Sequence, residues 1–185
     1  MEGKGRITGH TGLLALIGSP VGHSGSPAMY NYSFEKLGLD YAYVAFDIKV
    51  EEVKAALDAM RLFHMRGCNV TMPCKTEAAK YMDELSPAAR IIGAVNTIVN
   101  EDGKLIGHMT DGEGFVGNLR DHGIEIKGKK ITVAGGGGAA TAIQVQCALD
   151  GAREISIFNI KDDFFERTLE TAEKIRKEVP GIVVN

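Results

Sequence analysis

The sequence predicts an α/β protein in two domains, with strands that are mostly parallel. Two observations carry this. Short apolar runs alternate with longer segments of helical period along the whole chain. Late in the chain, a glycine run separates one such strand from one such helix and sets off a second unit.

The elements follow in order. "LLALIGSP" is a buried strand, ended by Gly and Pro. "SPAMYNYSFEKLGL" is a helix. In it Ser26 serves as N-cap, Pro27 fits the first helical position and Gly38 fits the far end. "DYAYVAFDI" alternates as a second strand. "VEEVKAALDAMRLF" carries Val53, Ala56, Leu57 and Met60 at helical spacing. "GCNVTM" is a third strand, and "KTEAAKYMDELSPAARIIG" is helical up to a break at Ser86-Pro87. "AVNTIVNEDGKLIGHMT" is a hairpin, because Asp102-Gly103 joins two apolar runs. "DGEGFVGNLRDHGI" is a helix and "KGKK" a polar break. The second unit reads strand "ITVAGGG", helix "AATAIQVQCALDG", strand "EISIFN", helix "DDFFERTLETAEKIRKE", then a strand opening at "GIVVN". The boundary falls between residues 112 and 128, which divides the chain into residues 1–115 and 116–185.

Composition narrows the function. Of 185 residues, 44% are apolar and 24% charged, enough apolar side chains for a sizeable core. Net charge is −3 without a basic run, which argues against nucleic acid as a partner. The N-terminus, "MEGKGRITGHTG", has no apolar core of signal-peptide length. No stretch approaches the roughly 20 apolar residues that cross a bilayer. Cys68, Cys74 and Cys147 form no metal or disulfide spacing, and read as reduced thiols of a cytoplasmic protein. His10, His23, His64, His108 and His122 are scattered, so no metal site is expected.

The glycine run has the spacing of a dinucleotide-binding turn. Gly135, Gly137 and Ala140 in "VAGGGGAATAI" match G-x-G-x-x-G/A between a strand and a helix. The first glycine permits the tight turn, the second lets backbone approach a pyrophosphate, and Ala140 keeps helix and strand close. The helix N-terminus offers N–H groups and a partial positive charge to phosphate. Gly135, Gly136, Gly137, Gly138 and Ala139 are therefore candidate cofactor contacts, in a Rossmann-type domain. A flexible glycine turn is the alternative; a P-loop is disfavoured because no G-K-[ST] closes the run.

The next strand ends "FNIKDD", where such folds meet the adenine ribose. Asp162 can accept from a ribose 2′-hydroxyl, whereas Lys161 can neutralise a 2′-phosphate. Asn159 precedes them. Helix capping by Asp162 or Asp163 is the other reading. The balance leans to NAD, with NADP open.

Three polar clusters lie at element ends of the first half, where α/β folds place sites. "GHSGSP" holds Ser24 and Ser26, two hydroxyls suited to a carboxylate or polyol. "NVTMPCK" brings Asn69, Thr71 and Lys75 to the end of a strand, where Pro73 stops the ladder. "GHMTDGEGF" places Thr110 and Asp111 before a helix. Capping by Ser26 and Asp111 is the structural alternative.

The ordered motifs "GSPVGHSGSPAMYN", "NVTMPCK", "GAVNT", "TDGEGF" and "GGGGAA" resemble the shikimate dehydrogenase family from about Leu14 to the end of the chain. The tail "FNIKDDFFERTLETAEKI" looks most like the branch that takes both quinate and shikimate. The resemblance implies an N-terminal domain that binds a hydroxylated cyclic acid, beside a Rossmann domain that binds NAD or NADP. It implies that Ser24 and Ser26 hold the substrate carboxylate. Asn69, Thr71 and Asn96 would contact hydroxyls, and Lys75 and Asp111 would form the acid–base pair. The implied reaction is hydride transfer at C3 between 3-dehydroshikimate and shikimate, or 3-dehydroquinate and quinate, in aromatic amino acid biosynthesis or quinate metabolism. The implied protein is a soluble monomer or homodimer.

Several positions depart from the family pattern. Gly25 stands where a leucine is usual and loosens the serine pair. Tyr30 replaces a histidine, with little expected effect. Met109 replaces an asparagine near Asp111, and Ile160 replaces an arginine, which strengthens the lean to NAD. The family also runs on well past residue 185, so the Rossmann domain is expected to be incomplete. Two other classes remain beside the oxidoreductase: a non-catalytic ligand-binding protein on this scaffold, and a lysine-using dehydrogenase of the methylenetetrahydrofolate type.

Overall fold

The computed structural model describes residues 7–185; the first six residues of the N-terminal reading lie outside the described residues. The chain divides into two compact units. One runs to Leu85 and adds Ala94–His108; the other joins Ser86–Gly93 to Met109–Asn185. Residues 86–93 and 109–115, which the sequence division places in the first domain, sit with the second unit.

The first unit is a mixed six-stranded sheet. It contains β1 (Gly12–Gly18), β2 (Tyr41–Asp47), β3 (Gly67–Val70), β4 (Glu84–Leu85), β5 (Thr97–Glu101) and β6 (Lys104–His108), in the spatial order β2-β1-β3-β5-β6-β4. β1 pairs in parallel with β2 and β3. β5 then pairs antiparallel with both β3 and β6, so this sheet is less parallel than the alternation predicts. The hairpin turn is the expected one: Asp102 and Gly103 both take positive φ, 52° and 94°.

Helices cover both faces. α1 (Ser26–Leu37) supplies Phe34 to a cluster with Leu16, Val21 and Tyr43. α2 (Val53–Leu62), entered through a short 3-10 turn, buries Val53, Leu57 and Met60. α1 ends on left-handed Gly38 as expected, but its N-cap is Gly25, and Ser26 is already helical. The capping reading of Ser26 is corrected accordingly.

The long helix expected from Lys75 onward is corrected more deeply. α3 spans only Lys75–Ala79. Glu84 and Leu85 instead pair in parallel with Ile106 and Gly107. Asp83 fixes the approach, because its N–H donates to the Leu105 carbonyl at 2.9 Å and its Oδ2 accepts from the Leu105 N–H at 2.7 Å. A Cβ on Gly107 would stand 2.7 Å from Met82 Cγ and 3.0 Å from Leu85 Cδ2, so this glycine gives the segment its seat. Tertiary pairing has overridden local helical spacing. Ser86-Pro87 is a start as well as a break. Ser86 Oγ accepts from the Ala89 N–H at 3.3 Å and Pro87 opens α4 (Pro87–Ile92).

The second unit holds α4, α5 (Asp111–Asp121), β7 (Lys130–Ala134), α6 (Gly138–Leu149), β8 (Glu154–Phe158), α7 (Phe165–Glu178) and β9 (Val183–Val184). The three strands are parallel in the order β7-β8-β9, the start of a Rossmann-type sheet. α5 packs on α6 through Gly112, whose missing side chain lets the two backbones meet. Asp111 is the first helical residue behind Thr110 at the N-cap, so its capping reading is corrected too.

Candidate active site

In the first unit, the ends of β1 and β3 are stitched together. The Thr71 N–H donates to the Ile17 carbonyl at 2.9 Å, and the Ser19 N–H to the Met72 carbonyl at 3.1 Å. Gly18 makes this approach possible, because a Cβ there would lie 2.4 Å from Thr71 Cγ2 and 2.9 Å from the Met72 carbonyl oxygen. The stitched loops enclose a cavity of about 380 Å³ lined by Ser24, Ser26, Thr71, His23 and Met72, among others. Three of the predicted substrate residues therefore share one cavity. Ser24 Oγ also accepts from the Ser26 N–H at 3.2 Å, which holds the two hydroxyls on one turn although Gly25 lies between them.

Lys75 opens α3 two residues after Pro73, half-buried, and its carbonyl accepts from the Val95 N–H at 3.0 Å. That bond ties the lysine to the segment carrying Asn96, which is buried. The Asn96 carbonyl in turn accepts from the Val70 N–H at 2.8 Å. "NVTMPCK" and "AVNT" are thus joined by backbone bonds, and Ile17 and Ser19, which lead into "GHSGSP", are bonded to the first of them. The expected strand "GCNVTM" stops at Val70, so Thr71 belongs to the loop.

Asn69 goes elsewhere. It lines a second cavity, of about 340 Å³, with Tyr30, Tyr43 and Thr97. Its Oδ1 accepts from the Tyr43 hydroxyl at 2.8 Å, and its Nδ2 donates to Thr97 Oγ1 at 3.2 Å. The Tyr30 ring stacks on Tyr43 with centroids 4.5 Å apart, so Tyr30 is a packing partner of this network.

In the second unit, the glycine turn has the conformation its spacing predicts. Gly135 takes φ 121°, and Gly137 is the extended N-cap of α6. The Thr141 N–H is the first to reach a helical acceptor, the Gly137 carbonyl at 2.9 Å, so the earlier N–H groups stand at a helix N-terminus. No atom lies within 4 Å of a Cβ built on Gly137 or Gly138, which is the open space a pyrophosphate needs. Gly136 differs: a Cβ there would lie 1.9 Å from Thr168 Oγ1. It is a packing glycine, a role that G-x-G-x-x-A spacing does not reveal. Gln144 was also silent in the sequence. Its Nε2 donates to the Gly135 carbonyl at 2.9 Å from a fully buried position, which holds the turn from below.

At the end of β8, Asn159 Nδ2 and the Phe164 N–H both donate to Asp162 Oδ1, at 3.1 and 2.9 Å. One carboxylate oxygen therefore organises the turn into α7, but the N-cap of that helix is Phe164, with no side-chain cap bond, so the capping reading of Asp162 and Asp163 is corrected. Lys161 is exposed, with Nζ 5.9 Å from the Phe165 ring centroid. Ala139 is exposed in the first turn of α6.

Among the described residues, no group of three or more His, Cys, Asp or Glu side chains is arranged to hold a metal, and no helix is long and apolar enough to cross a membrane. All three cysteines are buried and free.

The chain resembles known proteins in sequence and in fold. A family model described as the shikimate dehydrogenase substrate binding domain matches residues 16–98. A shikimate dehydrogenase (NADP(+)) of Listeria monocytogenes is 55% identical over 94% of this chain and 60% of its own length. A crystal structure of shikimate 5-dehydrogenase from Listeria monocytogenes, in complex with shikimate and NAD, superposes with a TM-score of 0.94 at 52% identity. That match covers 98% of this chain and 62% of the other. The ligand-free 5-ketofructose reductase of Gluconobacter sp. strain CHM43 gives 0.88 at 31% identity, over 96% and 62%. The chain spans about 60% of the length of the curated relatives it matches. Over that span, in motif order and sequence identity, the chain is similar to the shikimate dehydrogenase family.

Proposed function

We propose that this chain carries the acid-binding and dinucleotide-binding sites of an oxidoreductase that interconverts 3-dehydroshikimate and shikimate. The observation that carries the reading is the shared cavity of Ser24, Ser26 and Thr71, tied through backbone bonds to the loop that bears Lys75 and to Asn96. Hydroxyls on one turn suit a carboxylate, and strand-end hydroxyl and amide groups suit a polyol ring.

The dinucleotide, when bound at Gly135–Gly138 and Ala139, supplies the hydride acceptor. What the protein does is bind the acid and manage its proton. Ser24 and Ser26 hold the carboxylate and so fix the ring. Thr71, Asn69 and Asn96 orient the hydroxyls. In the oxidising direction, Lys75 and Asp111 accept the proton of the C3 hydroxyl as hydride leaves C3. In the reducing direction they return it to the developing alkoxide. Such general acid–base help is worth about 10²–10⁴-fold.

The cofactor reading leans to NAD. Asp162 Oδ1 is committed to the turn, which leaves Oδ2 to meet a ribose 2′-hydroxyl, and a carboxylate there repels a 2′-phosphate. Ile160 brings no charge and is exposed, while Lys161 is the one cation within this loop. The test is an activity matrix on the intact protein. Shikimate and quinate are each assayed with NAD and NADP, and 5-ketofructose with NADH and NADPH, by the absorbance of the nicotinamide. Turnover of shikimate, faster with NAD, is the expected result. Turnover of 5-ketofructose but not shikimate would replace the substrate assignment, and a clear preference for NADP would overturn the cofactor assignment.

A further inference from the structure

The amide of Asn69 sits on a cavity wall, so packing alone leaves it free to turn over. Three hydrogen-bond partners surround it. Nδ2 faces the Asn96 carbonyl at 3.5 Å and Thr97 Oγ1 at 3.2 Å, while Oδ1 faces the Tyr43 hydroxyl at 2.8 Å. The Asn96 carbonyl can only accept, which sets Nδ2 on that side and Oδ1 on the other. The short, strong member of the set is the bond from Tyr43.

Tyr43 is itself held from every side. It is 3% exposed. Its ring stacks on Tyr30, at 4.5 Å between centroids and 15° between planes. Its backbone is gripped twice by the Asn31 side chain: the Tyr43 N–H donates to Asn31 Oδ1 at 3.0 Å, and Asn31 Nδ2 donates to the Tyr43 carbonyl at 2.7 Å. Asn31 Nδ2 also donates to the Pro27 carbonyl at 2.7 Å, in the first turn of α1 just past Ser24 and Ser26. One chain of bonds therefore runs from the serine turn through Asn31 and Tyr43 to Asn69. Burial, with Tyr30 and Cys68 alongside, pushes the Tyr43 phenol well above its ordinary range, so it stays a donor.

The geometry points to Tyr43 as a positioning residue: its hydroxyl fixes the Asn69 amide with the NH₂ group turned toward Asn96 and Thr97, the orientation in which Asn69 meets the substrate hydroxyls. This rests on the reading of Asn69 as a substrate contact. It adds a residue on β2, an element that carries none of the motifs.

The test compares the intact wild-type protein with Tyr43→Phe, Asn69→Ala and the double variant, in shikimate oxidation with saturating dinucleotide. Phenylalanine keeps the stacked ring and removes only the hydroxyl. Tyr43→Phe is expected to raise KM for shikimate about threefold to tenfold, the scale of one hydrogen bond, with kcat within about twofold. In the Asn69→Ala background the same substitution is expected to change KM no further, because the two act as one unit. If Asn69→Ala raises KM but Tyr43→Phe does not, Tyr43 has no positioning role and the reading of Asn69 stands. If Tyr43→Phe raises KM equally in both backgrounds, its effect is structural and the inference fails. If Asn69→Ala leaves KM unchanged, the substrate role of Asn69 falls and the inference with it.

Discussion

α5 contains three glycines, and the structure assigns them opposite effects. On propensity alone, replacing a helical glycine by alanine stabilises by about 1 kcal/mol. Gly114 and Gly117 have open space where a Cβ would go. Gly112 does not: its Cβ would lie 2.2 Å from the Ala142 carbonyl oxygen and 2.7 Å from Gln146 Cβ on α6. An ordinary contact begins at 3.4 Å, and backbone cannot rotate out of the way, so α5 and α6 must separate by about 1 Å. Overpacking of this kind costs about 3 kcal/mol, against about 1 kcal/mol gained in propensity. Gly112→Ala is therefore expected to destabilise by about 2 kcal/mol, which lowers the urea midpoint by about 1 M. Gly114→Ala is expected to raise the midpoint slightly. Urea unfolding followed by circular dichroism compares the two. A Gly112→Ala variant as stable as wild type would refute the packing argument, and with it the seat of Asp111 at the first helical position.

Three further outcomes follow from other parts of the structure. The Leu105 N–H first, and Arg61 beside it, hold the Asp83 carboxyl below the usual carboxylate range, so its stabilisation is present above the ordinary value of about 3.9 and lost as pH falls through the lowered one. Asp83→Asn should accordingly lower stability at neutral pH and flatten the acid limb of a Tm-against-pH curve; a parallel downward shift would contradict this. Asp111→Asn should lose kcat by about 10²–10⁴-fold with stability nearly unchanged, and normal turnover would remove it from proton transfer. Gly18→Ala should raise KM for shikimate and lower Tm together, because its Cβ displaces Thr71 from the cavity; an effect on Tm without one on KM would separate Gly18 from the site.

Much of the fold was legible because it is written in local signals. An apolar run marked β1, alternation marked β2, two apolar runs marked the β5–β6 hairpin, Gly38 marked the end of α1, and Asp102-Gly103 marked the turn. What escaped depends on contacts distant in sequence. Helical spacing continued past Ala79, yet pairing with β6 drew Glu84 and Leu85 into a strand. Ser86-Pro87 carries the chemistry of a helix start, which a reading of Pro as a breaker overlooks. At the site, the clusters at strand ends singled out Ser24, Ser26, Thr71 and Lys75 as candidates by residue type and place, and the first three line one cavity. Asn31, Tyr43 and Gln144, and the packing role of Gly136, were silent because these roles lie in what the residues touch, and asparagine, tyrosine or glutamine inside an element carries no positional signature of a partner.

Lys75 is proposed to carry the proton at the reacting oxygen. Steady-state shikimate oxidation by Lys75→Ala is the measurement that decides this. The expected result is a loss of about 10²–10⁴-fold in kcat, while KM for shikimate stays within a few-fold of wild type. Near wild-type kcat in that variant would contradict the claim and return Lys75 to an ordinary charge at a strand end.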